Sequence, residues 1–185
     1  MARLPALSAL LLVTACRSTG PAPDVTTTQV TTTIGIATGG TVGLRRTAEE
    51  VGHSTDLRIR PDSAFRLLRA VYADLQFVPG RIDPSTREVA VTAAKVRRRL
   101  AGVSLTRYLD CGSKDNLPNA DTYDIELSVL SQVSVNADST SRVTTRIHAV
   151  ASDPFHGAGN QTTCTTLGAL EARIADGVKL RAGLR

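Results

Sequence analysis

Strict alternation is the most regular feature of the chain. From Tyr123, apolar residues recur at every second position through Ile125, Leu127 and Val129, and again at Val133 and Val135, while Asp124, Glu126, Ser128, Gln132 and Ser134 take the other phase. The turn-forming run Asn136-Ala137-Asp138-Ser139 interrupts the pattern. Val143, Thr145, Ile147, Ala149 and Ala151 then return opposite Arg142, Thr144, Arg146, His148 and Ser152. Period two in two runs joined by a short polar turn predicts a long β-hairpin with one face on a core and the other in water.

The period changes upstream. Phe65, Leu68, Val71, Tyr72 and Leu75 recur at three and four, the stripe of a surface helix, with Pro61-Asp62-Ser63 before it as the expected cap. Leu57 and Ile59 alternate with Asp56, Arg58 and Arg60 as a short strand. After the helix come Phe77-Val78, the turn Pro79-Gly80, Ile82, a second turn at Asp83-Pro84-Ser85-Thr86 and a strand from Glu88 to Thr92. The threonine-rich stretch Val25 to Ile36 reads as a first strand, with linker as the alternative. Gly35, Gly39, Gly40 and Gly43 predict a loop, and Glu49 and Glu50 a short helical turn before His53. Near the end, Gln161 to Cys164 reads as a strand, and Thr165 or Thr166 as the cap of a last helix. That helix would carry Leu167, Leu170 and Ile174 on one stripe and stop at Gly177, leaving Val178 to Arg185 as a basic tail. The order of elements predicts an α+β fold, an antiparallel sheet with two main helices on one face, in a single domain spanning 25–185.

Composition narrows the chemistry. The 185 residues are 42% apolar and 21% charged, which suits one globular domain. Aromatic residues make up only 3%, with no Trp, too few to build a stacking platform for bases. Three His and three Cys do not suffice for dense metal clusters, and no metal or cofactor is expected. Asp115, Asn116, Asn119 and Asp121 lack the spacing of a calcium loop. No nucleophile-elbow or phosphate-loop pattern occurs, so an enzyme with a dispersed polar site is the least favoured reading.

The start of the chain points to a membrane. Arg3 precedes an apolar run from Leu4 to Val13, too short to cross a hydrocarbon core of ~30 Å, so residues 1–15 read as a targeting signal. Leu12-Val13-Thr14-Ala15-Cys16 resembles the lipobox of bacterial lipoproteins. The resemblance implies cleavage before Cys16, acylation of Cys16 and a flexible tether over 16–24, which contains Pro21 and Pro23. Arg17, where inner-membrane retention favours Asp, implies the outer membrane, facing the periplasm. Cys111 and Cys164 then remain as an even pair in an oxidising compartment, and a disulfide between them is expected.

The formal charge of +5 is concentrated in one segment, where Lys95, Arg97, Arg98, Arg99 and Arg107 form a candidate contact for an anionic lipid or glycan. Solvated basic surface is the plainer alternative. Nucleic acid is not an expected partner of an envelope protein. Between Ser63 and Thr92, the residues Phe65, Leu68 and Leu75 with the turn Pro79-Gly80 resemble, in outline of fold, the accessory lipoproteins of the outer-membrane β-barrel assembly machinery. The expected function is that of a membrane-anchored, non-enzymatic lipoprotein with a protein-binding or envelope-assembly role. A binding module for anionic lipid or glycan is the alternative.

Overall fold

The computed structural model describes residues 24–35, 41–155 and 161–184, with 24–35 and 41–51 as backbone. The segment 1–23, including Leu12 to Cys16 and nearly all of the expected tether, lies outside the described residues.

The chain opens with β1 (Asp24–Gly35) and β2 (Thr41–Leu57), paired antiparallel from Asp24↔Gly52 to Gly35↔Thr41. The helical turn expected at Glu49 and Glu50 is therefore strand, as are Gly35 and Gly43 of the expected loop, and the short strand expected at Leu57 and Ile59 is instead the end of β2 at Leu57. Local propensity loses there to pairing, because β2 finds β1 along most of its length and a distant partner at its end. Helix α1 (Pro61–Asp74) begins with Pro at N1 and has Asp62 in its first turn. The expected cap at Ser63 does not form. Arg60 occupies the N-cap position without a side-chain bond, and the Ser63 hydroxyl accepts from the Arg66 guanidinium at 3.3 Å instead.

Two strands follow as a hairpin, β3 (Arg81–Asp83) and β4 (Glu88–Val96), the latter four residues longer than expected. Short pieces come next: β5 (Arg99–Leu100) with β6 (Val103–Ser104), then β7 (Leu109–Asp110), β8 (Ser113–Lys114) with β9 (Leu117–Pro118), and α2 (Asn119–Thr122). The expected long hairpin is β10 (Asp124–Val135) and β11 (Ser141–Ser152). β12 (Gln161–Thr166) and α3 (Ala169–Arg181) complete the described chain.

The main sheet runs β1-β2-β11-β10-β4-β3, with every pairing antiparallel. The outer edge of β11 is shared between two strands. Ser141 to Thr145 pair with β2, and Ala149 to Ser152 pair with β12, which continues onto β7. This is an α+β architecture built on an antiparallel sheet, as the order of elements predicted.

Registered pairs across the hairpin form the core. Ile125 faces Ala151, Leu127 faces Ala149, Val129 faces Ile147 and Val133 faces Val143, all buried. Val135 shares their phase but is exposed, because it lies at the end of the hairpin beyond the reach of β4. Ser131 and Thr145 interrupt the apolar row with polar groups in register. Tyr72 of α1 satisfies them: its hydroxyl donates to Ser131 Oγ at 2.8 Å, and Ser131 Oγ lies 2.7 Å from Thr145 Oγ1. Burial pushes the Tyr72 phenol well above its ordinary pKa.

Two expectations for the last helix require correction. Gly177 does not end it; α3 continues to Arg181, and Val178 is buried rather than part of a tail. A Cβ at Gly177 would lie 3.0 Å from both γ-carbons of Val71, so glycine serves the close approach of α3 to α1. The N-cap is Gly168 at φ 78°, not Thr165 or Thr166, and Leu167 is exposed. The Thr166 hydroxyl instead accepts from the Gly168 amide at 3.2 Å and donates to Glu171 Oε1 at 2.7 Å. Arg181 and Asp74 join the ends of α3 and α1 at 2.6 Å.

Candidate binding cleft and disulfide frame

The expected disulfide joins Cys111 to Cys164, with Cα atoms 4.1 Å apart. Thr165 pairs with Asp110 and Thr166 with Leu109, so the same register sets the two cysteines opposite one another at the next step. The frame around them is hydrogen-bonded. Asn119 Nδ2 donates to the Cys111 carbonyl at 3.0 Å, and the Leu167 amide donates to the Tyr108 carbonyl at 2.8 Å. Beside this frame the buried Asp153 carboxylate accepts from Lys114 Nζ at 3.0 Å, from the Tyr123 hydroxyl at 3.4 Å and from the Phe155 amide at 2.9 Å. The hydrogen bond from Lys114 to Asp153 raises the Lys114 pKa above its ordinary value.

The basic segment meets the rest of the fold at an open cleft of about 470 Å³. One wall is the chain leaving α1, Leu75 to Val78; the other is β4 from Val91 and its continuation through Arg97 to Ala101. Its floor is apolar: Leu75, Phe77, Val91 and Leu100 line it and are otherwise buried in the core. Val78 is 86% exposed on the wall. Lys95, Arg97 and Arg99 supply the charge.

Of the five cations singled out in the sequence, these three line the cleft, whereas Arg98 and Arg107 are exposed outside its lining. The backbone explains the split. Arg98 adopts φ 61° and its carbonyl accepts from the Leu105 amide, which turns β5 away from the end of β4, and Arg107 sits in the short helical turn that follows β6. Local partners tie two of the cleft cations. Arg97 Nε lies 3.4 Å from Asp124, both side chains more than half exposed, and Arg99 donates to the Gly102 carbonyl at 3.0 Å. Lys95 stands in register opposite Glu126. Exposed pairs of this kind contribute roughly 0–1 kcal/mol, so the cations remain available to an anion that offers better geometry.

The cleft itself was not legible in the sequence, because Leu75 and Phe77 reach it from a different element. The trace it leaves in the sequence is the apolar pair Phe77-Val78, set between the α1 stripe and the Pro79-Gly80 turn. Among the described residues, no group of three or more His, Cys, Asp or Glu is placed to hold a metal ion, and no helix is long and apolar enough to cross a membrane. No protein-family model, curated protein or solved structure matches the chain.

Proposed function

We propose that this chain is a lipid-anchored envelope protein that acts by binding a protein partner, in a role such as envelope assembly, and that the cleft between Leu75–Val78 and β4 is where it binds. The observation that carries the binding reading is the combination in one cleft of an apolar floor with Lys95, Arg97 and Arg99. The lipobox-like Leu12 to Cys16 supports acylation at Cys16 and an outer-membrane, periplasm-facing location. The Cys111–Cys164 bridge supports export to an oxidising compartment. In this reading the two main helices share one face of the sheet, supported by the bond from Tyr72 to Ser131 and by the approach of Gly177 to Val71. The opposite face of the hairpin, with Arg142, Gln132 and His148 exposed, stays in water.

The anchor is tested by intact mass: a mature chain beginning at Cys16 and carrying acyl groups is expected, and a chain that begins elsewhere or lacks lipid refutes the anchor. The binding reading is tested by placing a photo-crosslinker at Val78 in the native envelope. A single partner band that disappears on charge reversal of Lys95, Arg97 and Arg99 supports the site. Crosslinks to lipid alone favour the second reading, a module for anionic lipid or glycan, which the rim cations also suit.

A further inference from the structure

We infer that the free outer edge of β4 is a strand-addition site, taking an extended segment of a partner protein in which apolar residues alternate with Asp or Glu. The inference rests on the binding reading above and names the partner by its chemistry.

The edge follows from the pairing. On its inner side β4 pairs with β10 from Glu88 to Val96, with one irregularity between Leu127 and Val129. On its outer side β3 covers only Glu88 to Ala90, and the Gly80 amide donating to the Ala90 carbonyl closes that ladder. Beyond it the chain turns off to form the far wall of the cleft. Among the described residues, no strand pairs with the outer side of Val91 to Val96. At no more than ~3.4 Å per residue, and less at Ala93, whose φ of 48° departs from extended backbone, this open edge is under about 17 Å long, enough for an incoming strand of about five residues.

An unpaired edge is a template for another chain, and proteins blunt such edges with charge and bulges. The positive φ of Ala93 and the presence of Lys95 fit that purpose alone. Blunting, however, calls for neither a second wall nor an apolar floor. Here Gln76 to Val78 stand across a cleft of about 470 Å³, with Leu75, Phe77 and Leu100 beneath. An added strand alternates its side chains. One phase would seat apolar groups on that floor, and the other would carry carboxylates to Lys95, Arg97 and Arg99. An acyl chain with an anionic head group would use the same floor and rim without the backbone edge, and that difference decides between them.

The test selects phage-displayed random nonapeptides against the full acylated chain held in phosphatidylethanolamine nanodiscs. Enriched peptides should alternate apolar residues with Asp or Glu, and on binding should slow amide exchange from Thr92 to Val96. Methylating alternate backbone amides should abolish binding in one phase while leaving every side chain in place. Lys95→Glu with Arg97→Glu and Arg99→Glu should weaken it by about tenfold or more. Val78→Asp, at an exposed wall position that carries no packing, should weaken it similarly and guards against a triple variant that misfolds. Lack of enrichment over an unrelated protein overturns the inference, as does binding indifferent to amide methylation in both phases. Slowed exchange at the cleft with phosphatidylglycerol vesicles but not with peptides also overturns it. Peptides that bind and crosslink away from β4 overturn the strand-addition site while leaving a binding function standing.

Discussion

Gly177→Ala is the substitution for which propensity and packing give opposite signs. In a helix interior alanine is favoured over glycine by about 1 kcal/mol, so propensity alone makes the change stabilising. The structure opposes it: the added Cβ would meet Val71 Cγ1 and Cγ2, each at 3.0 Å. Val71 is buried on α1 and β-branched, so its side chain has one strongly preferred rotamer in the helix. Overpacking of this kind costs roughly 1–3 kcal/mol. The net expectation is destabilisation by about 1 kcal/mol. Val71→Ala removes both opposing methyls, and although it costs about 2 kcal/mol on its own account, it leaves room for the new Cβ. In that background Gly177→Ala should stabilise by about 1 kcal/mol, giving a coupling between the sites of roughly 2 kcal/mol. Urea denaturation of the parent, both single variants and the double variant, with m-values compared, measures all four corners. Stabilisation of equal size in both backgrounds would refute the close helix contact as the reason for the glycine.

Cys164→Ala opens a loop with a sequence separation of 53 and should cost up to about 4 kcal/mol by loop entropy, less whatever the β10–β11 hairpin retains when unfolded. Denaturation of the variant and of reduced parent protein should agree, and unchanged melting would overturn the entropic account. Tyr72→Phe removes the donor to Ser131 and should cost about 1 kcal/mol in the same assay, with no loss of secondary structure by circular dichroism. The Arg142 guanidinium, hydrogen-bonded to Asp56 at 2.8 and 3.0 Å, and the Asn136 amide at 3.0 Å hold the Asp56 carboxyl below its usual range. Its folded pKa lies below its unfolded one, so its contribution is present at neutral pH and fades as pH falls below ~4 through the folded value. Asp56→Asn should therefore lower the melting temperature at pH 7 more than in strong acid, and an equal loss at both would exclude the pairing as its cause.

Where one element carries its own pattern, the sequence was readable. The α1 stripe and the alternating hairpin each need no knowledge of the rest of the chain, and the Cys111–Cys164 pair needs only the assignment of Cys16 and the oxidising compartment it implies. The failures share a different cause. β2 is polar and interrupted by glycine, and it becomes strand because β1 and Ser141 to Thr145 supply partners. Gly177 resembles a helix stop until Val71 is placed against it. The two-residue strands β5 to β9 are too short to show any period. For the cleft, Lys95, Arg97 and Arg99 were identifiable as cations, but their apolar floor is assembled by tertiary folding from Leu75, Phe77 and Leu100.

The sharing of one β11 edge by β2 and β12 sets an order of events in folding. The β10–β11 hairpin closes through a turn of only five residues, 136–140, and β1–β2 is likewise a local pairing, so neither needs a distant segment. Docking β2 onto the β10–β11 hairpin brings Leu57 to Ser141 and, 86 residues apart, Asp56 to Arg142, across a chain that must already have passed through α1 and β4. Contacts so remote in sequence are entropically late, which makes the β10–β11 hairpin the early template and β2 its late arrival, whereas β12, paired Ser152↔Gln161, follows it closely in the chain. As the chain is synthesised, the β1–β2 pair and α1 therefore emerge before the strands on which they dock, and wait until Ser152 has followed them. Over that interval the apolar stripe of α1 is uncovered, and this is the stage at which the chain is most exposed to aggregation or to capture by a chaperone.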